Sequence, residues 1–491
     1  MFFANSTLNS LLAVVLLSLL TAYIVYSVIN SPIRHIPGPW HTLITHYPLK
    51  YYVLTGQRMY YVHALHARYG PVVRISPSEV AVCDPDGYAA IHRIGGGFLK
   101  SAWYEESTRS DSGETSIFAM SDPRQHAQRR KLLGRVLTKQ SLRRDWEFLV
   151  RQKVERAVDR IYNEAREGGC SDMLKWWTMM STDTIAQLAF GESFNLLELG
   201  EVRRPWGHSH PCHTTTQYAT SYPLLHFIQS INPFKSSAGA PDAQKVFRVY
   251  GKRAVANAFK NSRDRPNLFA RMIDASMARE MEWLNEGVIE AEANSMIIGG
   301  SDTTSVTQTY LVWAVLKRPD LREALEEEVD GLEPGFDDAA LEKLPLLNAV
   351  IDETLRLYGG APGHLARIVP PKGATVGGYF IPSNYTVETQ AYTLHRNPEV
   401  WPDPYRFDET RFLDPSQLTQ QQKQLFLPFG AGSRSCIGVE LAKMELRLAT
   451  AVFFRRCKGL KLAPGTTDES MEMENYFLIS PRGHKCEVIM A

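Results

Sequence analysis

The chain has 491 residues, of which 44% are hydrophobic and 22% charged, and its 54 basic against 53 acidic residues leave a net charge of +1. This balance is ordinary for a globular protein and gives no basis for nucleic-acid binding, which needs a basic surplus. Six cysteines without a C-x-x-C pair exclude a dense disulfide framework and indicate a reducing compartment.

The N-terminus carries a long apolar segment. Residues 1–33 contain no charged side chain, and Leu11–Ile29 is almost wholly apolar. As a helix that segment would be about 28 Å long, close to the hydrocarbon thickness of a bilayer. Arg34 and His35 follow it, so the positive-inside tendency places the rest of the chain in the cytosol.

The first forty residues therefore divide into two parts. We predict a single transmembrane anchor at 1–30. The prolines at 37 and 39 predict a stiff, extended hinge at 31–40. No low-complexity linker interrupts the remainder, which predicts one large domain at 41–491.

Short strands are predicted in two places. Val72–Ile75 and Val80–Cys83, separated by Ser-Pro-Ser, are typical of a hairpin. The segment 368–392 contains further short strands with turn residues between them. Helical periodicity dominates elsewhere, so the predicted fold is mainly α with a minor β lobe. The clearest helices are predicted at 145–167, 286–318, 346–358 and 437–456. The interval 197–242, rich in Pro, Ser, His and Gly, predicts a loop-bearing access lid.

The predicted helix at 286–318 contains the run Gly299-Gly300-Ser301-Asp302-Thr303-Thr304. Two glycines inside a helix cost about 1 kcal/mol each relative to alanine, so they indicate a groove along the backbone. An acid and an alcohol beside such a groove can deliver protons. Taken alone, the run fits a kink in a buried helix equally well.

Near the C-terminus the chain reads Phe429-x-x-Gly432-x-Arg434-x-Cys436-x-Gly438. We expect both glycines to permit positive φ angles, which would turn the loop under a flat group. The helix predicted to follow would place the Cys436 sulfur near an N-terminus that stabilises a thiolate. A single buried cysteine behaving as a small hydrophobe is the simpler alternative for that residue taken alone.

The motif around Cys436 resembles the haem-ligand loop of the cytochrome P450 family, in its membrane-anchored eukaryotic microsomal type associated with fungal secondary metabolism. The resemblance implies the cytochrome P450 fold and haem b with Cys436 as its axial thiolate. It also implies a propionate contact for Arg434 and shielding of the sulfur by Phe429. Asp302 and Thr303 would be the catalytic proton-delivery pair.

Other roles follow from the same resemblance. His126, Arg130 and Arg367 correspond to propionate contacts. Glu353 and Arg356, which alone would be an ordinary surface pair at i, i+3, correspond with Arg411 to a structural trio that holds the haem loop. Position 366 is alanine where many relatives have proline.

The substrate pocket is expected, by family position, to be apolar and aromatic, which suits a lipophilic polyketide, terpenoid or indole-like compound. Its expected lining residues are Phe98, Trp103, Ile117, Phe118, Met296, Gly299, His364, Leu365, Tyr476 and Phe477.

The implied function is a haem-thiolate monooxygenase of the endoplasmic reticulum membrane that oxidises a lipophilic small molecule with O₂. Because the chain has no flavin or nicotinamide motif, electrons would come from a separate NADPH-dependent flavoprotein reductase. Its expected docking residues are Arg129, Lys131, Arg135 and Lys443. Alternatives are a broad-specificity xenobiotic oxidase, a redox-neutral isomerase or dehydratase acting on peroxides, a non-catalytic haem sensor or carrier, and a membrane adaptor without haem.

Overall fold

The computed structural model describes residues 2–108, 113–200 and 284–491, together with 252, 256, 267–270 and 272. Most of the chain is helical. The helices, in chain order, are α1 (Phe2–Asn30), α2 (Tyr47–Leu54), α3 (Arg58–Tyr69), α4 (Pro85–His92), α5 (Ala102–Ser107), α6 (Pro123–Gly134), α7 (Lys139–Asp145), α8 (Glu147–Glu167), α9 (Met173–Phe190), α10 (Leu196–Leu199), α11 (Glu286–Leu316), α12 (Pro319–Asp330), α13 (Asp338–Leu341), α14 (Pro345–Tyr358), α15 (Ala391–Leu394), α16 (Gln420–Leu425) and α17 (Val439–Arg456).

The strands are short and form four sheets. They are β1 (Val72–Ser76), β2 (Glu79–Val82), β3 (Leu99–Lys100), β4 (Ser171–Asp172), β5 (His364–Ile368), β6 (Ala374–Val376), β7 (Tyr379–Ile381), β8 (Thr386–Gln390), β9 (Leu460–Leu462), β10 (Met473–Asn475), β11 (Ile479–Pro481) and β12 (Glu487–Met490). The mainly helical fold with a minor β lobe is therefore confirmed.

The largest sheet has the strand order β1-β2-β8-β5-β3. Strands β2 and β8 run parallel, and the other neighbours are antiparallel. Its register sets His364 opposite Gln390 and Arg367 opposite Lys100. The remaining sheets pair β4-β12-β9, β10-β11 and β6-β7.

The main hydrophobic core lies between α8, α9, α11 and α17, whose apolar faces are fully buried. Helices α9 and α11 approach each other closely at Gly300. A Cβ built on Gly300 would lie 2.7 Å from Cγ1 of Ile185. Gly300 therefore permits tight helix packing, whereas the sequence analysis assigned it to an open groove.

The observed element boundaries differ slightly from the predicted ones, each for a local reason. The predicted helix at 145–167 begins at Glu147, because α7 ends before Trp146. The helix predicted to reach 318 ends at Leu316, since Pro319 starts α12. Of the predicted lid at 197–242, residues 197–199 belong to α10, and 201–242 lie outside the described residues.

Helix α1 is apolar, and its segment Ser10–Asn30 has a mean hydropathy of 2.4 with exposed side chains. It is long and apolar enough to cross a membrane, a test that an N-terminal signal sequence also passes. The chain then turns into the β lobe, where Arg74 donates to the carbonyls of Ile36 at 2.8 Å and Pro39 at 3.1 Å. This buried arginine fixes the proline-rich segment against β1.

Candidate active site

The candidate ligand loop is closed by its own backbone. The N–H of Cys436 donates to the Phe429 carbonyl at 2.9 Å. Gly432 has φ 67°, and a Cβ there would lie 2.1 Å from the His92 carbonyl oxygen, so only glycine fits. Gly438 has φ −91° and is the N-cap of α17, so the expectation of a positive φ at that position is wrong.

Cys436 is the only exposed cysteine among the five that the structure describes. Its side chain faces open space, yet the dense protein around it raises the pKa of the thiol. The N–H of Gly438 and the charge of Arg130 act in the opposite direction. A sulfur so placed, just before the start of α17, is accessible to a metal centre and lies beside groups that favour its thiolate form.

Cationic side chains border this loop. Arg130 on α6 donates to the Ser435 carbonyl at 2.7 Å and to the Ser435 hydroxyl at 3.1 Å. Arg434 donates to the carbonyls of Met120 and Ser121 at 2.7 and 2.9 Å. Arg367 on β5 is buried and contacts the Tyr104 hydroxyl at 3.3 Å.

The cations depress one another's pKa values. Burial, with Arg367 next, lowers the pKa of Arg434 to about 10, against the opposing charge of Asp122. Burial lowers the pKa of His126 to about 3, and the charges of Arg434, Lys100 and Arg130 contribute in that order. Burial also lowers the pKa of Lys100 far below its usual value, with Arg367 and Arg434 contributing.

Such a surplus of buried positive charge is costly unless an anion neutralises it. Within the described part of the chain, none of Lys100, Arg130, Arg367 and Arg434 forms an ion pair with a carboxylate. The two propionates of haem b are anions of the required kind, and the exposed Cys436 thiol lies beside Arg130. The residues present therefore fit haem.

Helix α11 presents Gly299 and Thr303 on one face, one turn apart. A Cβ on Gly299 would meet nothing within 4 Å, so this glycine borders open space. The Thr303 hydroxyl donates to the Gly299 carbonyl at 2.9 Å. Thr303 and Asp302 are both partly exposed, and Oδ2 of Asp302 is buried. Gly360 packs against the backbone of Thr303, since a Cβ built on Gly360 would lie 2.8 Å from the Cα of Thr303. This close contact fixes the position of Thr303.

Glu353 and Arg356 form a buried bidentate pair, with both oxygens of the carboxylate bound at 2.7 and 2.8 Å. Arg356 also donates to the carbonyls of His395 and Pro404. Nε of Arg411 lies 3.7 Å from the carboxylate, and its guanidinium donates mainly to the carbonyl of Pro402. The structure therefore brings the trio together, with Arg356 in bidentate contact and Arg411 in a looser contact with the carboxylate.

Four of the expected pocket residues meet in an aromatic wall, defined as Trp103, Phe118, His364 and Phe477. The ring centroids of Trp103 and His364 are 4.5 Å apart, and Phe477 lies 5.4 Å from Trp103 and 5.5 Å from Phe118. Leu365 lies near the ligand loop, since a Cβ on Gly430 would be 3.9 Å from its Cδ1.

The other expected pocket residues lie elsewhere or deeper. Phe98 packs on the core of the β lobe, because the chain runs there along the sheet edge at β3, so its assignment to the pocket is wrong. Ile117 and Met296 are buried in the main core. Tyr476 packs against Gly56 rather than on the aromatic wall.

Lys100 was missed and Arg129 was misassigned from the sequence. Lys100 lies near the cations Arg367 and Arg434 and over the rings of Tyr104 and Phe118, at 4.3 and 4.4 Å from their centroids. Arg129, expected at a docking surface, is instead buried in an ion pair with Glu292 at 2.8 Å. Two signals in the sequence were available: Lys100 lies among aromatic residues, and Glu292 lies in a largely apolar helix.

Comparisons with known proteins identify the family. The model of the cytochrome P450 family matches residues 36–488. Cytochrome P450 monooxygenase tazI of Aspergillus terreus is 40% identical, with 96% of this chain and 97% of the relative covered. Cytochrome P450 monooxygenase aflV of Aspergillus parasiticus is 40% identical, with 93% of this chain and 91% of the relative covered. Tryprostatin B 6-hydroxylase of Neosartorya fischeri is 28% identical, with 91% of this chain and 80% of the relative covered.

The match spans nearly all of the chain, and the three relatives are named as two monooxygenases and one hydroxylase. Members of this family hold haem through a cysteine thiolate and use O₂, a lipophilic substrate and a redox partner. The chain belongs to the cytochrome P450 family and is a haem-dependent monooxygenase.

Proposed function

We propose that the protein is a membrane-anchored haem-thiolate monooxygenase in which Cys436 is the axial ligand. The observation that carries this assignment is the exposed Cys436 sulfur beside buried cations that have no carboxylate partner. Haem bound there supplies the activation of O₂. Arg130, Arg367 and Arg434, with His126 and Lys100, would bind the propionates.

The protein supplies the protons and the orientation. Thr303 has its hydroxyl oriented by the Gly299 carbonyl, and Asp302, also partly exposed, precedes it on the same helix. Together they would hold and pass the protons that oxygen activation consumes. Phe429 would exclude water from the sulfur. Glu353, Arg356 and Arg411 would hold the segments that support the ligand loop.

The substrate would be a lipophilic small molecule of fungal secondary metabolism. Support comes from the fungal relatives, among them the hydroxylase named for tryprostatin B, and from the largely aromatic pocket wall. Broad-specificity oxidation of xenobiotics remains the second candidate from the sequence. No described residue favours it over a dedicated substrate.

We propose the same three-part organisation that the sequence predicts: an anchor at 1–30, a hinge at 31–40 and a catalytic domain at 41–491. Exposed apolar α1 and the Arg74 contacts to the hinge support it. The anchor would lie in the endoplasmic reticulum membrane, with the domain in the cytosol receiving electrons from an NADPH-dependent flavoprotein reductase. Full-length chain should sediment with membranes through carbonate washing and remain uncleaved, and release or cleavage would exclude the anchor.

The central test is the carbon monoxide difference spectrum of the dithionite-reduced full-length protein. Thiolate-ligated haem gives a red-shifted Soret band, which Cys436→Ala should abolish. Cys170→Ala is the matched control, because Cys170 is a partly exposed cysteine away from the cations. Absence of the band in folded, haem-supplied protein, or its survival in Cys436→Ala, would refute the ligand assignment.

A further inference from the structure

The aromatic wall (Trp103, Phe118, His364 and Phe477) combines ring-to-ring packing with residual exposure. Its members come from four separate parts of the chain, and all four rings remain partly exposed. Leu365, next to His364, lies near the Cys436 loop. Large rings packed together in this way offer edge and face contacts to another flat ring system.

Phe477 is held on this wall by a strained turn. It lies between β10 and β11 with φ 122°, a conformation that a bulky residue rarely adopts. The buried Asn475 side chain donates to the Phe477 carbonyl at 3.0 Å, and the Asn475 N–H donates to Gly56 at 2.8 Å. Strain maintained by such contacts is typical of ligand sites, and here it fixes the ring against Trp103 and Phe118.

His364 is the polar member of the wall. Its Nδ1 is buried and has no hydrogen-bond partner in the described part of the chain, while the ring as a whole stays partly exposed. Burial, with the charge of Arg58 next, lowers the pKa of His364 far below its usual value, so the ring is neutral. A buried N–H without an acceptor costs more than an unused lone pair, which places the single proton on Nε2.

A buried pair of opposite side chains lies behind His364. Arg58 on α3 forms a buried ion pair with Glu388 on β8, two residues before Gln390, which pairs with His364. The Gln390 side chain donates to the Met59 carbonyl at 3.0 Å and to Thr393 at 2.6 Å. Next to His364 the pocket therefore offers one neutral N–H donor, which suits an uncharged oxygen acceptor.

We propose that His364 determines substrate specificity by donating a hydrogen bond from Nε2 to a carbonyl or ring oxygen of an uncharged, flat aromatic substrate that lies against Trp103, Phe118 and Phe477. This inference rests on the proposed function, since it concerns the same pocket. It narrows the substrate from lipophilic compounds in general to planar aromatic compounds that carry an oxygen acceptor.

The test uses 9-fluorenone and fluorene, two flat neutral molecules that differ in one carbonyl oxygen. Their dissociation constants are measured by calorimetry on the haem-loaded full-length protein, and the carbon monoxide band is recorded on the same samples. The wild type should bind fluorenone about five- to tenfold more tightly than fluorene, the value of one net hydrogen bond. His364→Phe should keep fluorene binding and bring the ratio close to one.

His364→Gln separates hydrogen bonding from shape. Its amide N–H reaches about as far as Nε2, so it should restore part of the fluorenone preference that His364→Phe removes. An equal fluorenone preference in His364→Phe, no preference in the wild type, or no binding of either probe would overturn the inference. Loss of the carbon monoxide band would instead refute the proposed function.

Discussion

Arg129 on α6 and Glu292 on α11 form a buried ion pair, with 2.8 Å between Nη1 and Oε1. The same Oε1 accepts the Ile117 N–H at 2.7 Å, and Arg129 also donates to the Thr115 carbonyl. One ion pair thus holds two helices and the segment that leads to Phe118 on the aromatic wall.

Arg129→Met should lower the free energy of unfolding by about 3–5 kcal/mol, because it leaves Glu292 buried without its partner. Urea denaturation of the detergent-solubilised protein measures this. Lys131→Met, an exposed site on the same helix, should change stability by less than about 0.5 kcal/mol. The double variant Arg129→Met/Glu292→Leu should recover much of the loss, and equal losses in the single and double variants would contradict this account.

Glu292 should also make stability depend on pH. Burial raises its pKa from 4.5 to about 7, against the opposing charge of Arg129. Between those values the folded protein retains a proton that the unfolded chain has released. The free energy of unfolding should therefore fall as pH rises from about 4.5 to 7, by up to about 1.4 kcal/mol per pH unit from this group.

Glu292→Gln should flatten that part of the profile, measured as urea midpoints from pH 5 to 8. Burial likewise raises the pKa of Glu388 to about 7, so Glu388→Gln should remove a comparable part and serves as a positive control. An unchanged slope in Glu292→Gln would mean that Glu292 is ionised in the folded protein throughout this range.

The two glycines of α11 should respond oppositely to alanine. Gly300→Ala places a Cβ 2.7 Å from Cγ1 of Ile185 and should cost about 1–3 kcal/mol through overpacking. Gly299→Ala meets nothing within 4 Å and should stabilise the helix by up to about 1 kcal/mol. Thermal unfolding measures both. If adding Ile185→Ala to Gly300→Ala did not restore thermal stability, the clash with Ile185 would not be the cause of the loss.

Arg356 should be far less replaceable than Arg411. Its side chain is fully buried and binds both oxygens of Glu353 as well as three backbone carbonyls, which lysine cannot reproduce. Arg356→Lys should therefore cost at least about 3 kcal/mol and reduce the yield of haem-loaded protein. Arg411→Lys should cost less than about half of that, since Arg411 lies 3.7 Å from the carboxylate. Similar losses in both would argue for a symmetric trio.

With Arg129 buried, the expected reductase surface reduces to Lys131, Arg135 and Lys443. Lys131 and Arg135 are exposed at the end of α6, next to Arg130, which contacts the ligand loop. Lys131→Glu/Arg135→Glu should slow haem reduction by an NADPH-dependent reductase about tenfold at low salt and leave the carbon monoxide band unchanged. Lys372→Glu, exposed in the β lobe, is the control. Unchanged stopped-flow reduction rates would exclude this surface.

Local sequence patterns were sufficient for much of this protein. Hydrophobic periodicity and turn residues predicted the hairpin of β1 and β2 and the boundaries of the long helices to within a few residues. The Cys436 motif identified the family because its glycine, arginine and cysteine positions are fixed relative to one another within one short loop. At Gly432 the reason is visible, since the backbone of His92 leaves no room for a side chain.

The tertiary structure decided what depends on partners distant in sequence. Gly300 and Arg129 gave no local sign that they face Ile185 and Glu292, and Phe98 gave none that it packs on the β lobe. Lys100 joined the haem-side cations only because β3 pairs with β5 opposite Arg367. Burial, close approach and charge neutralisation are set by residues from separate segments, so a short window of sequence fixes the chemistry of a side chain while the fold fixes its surroundings.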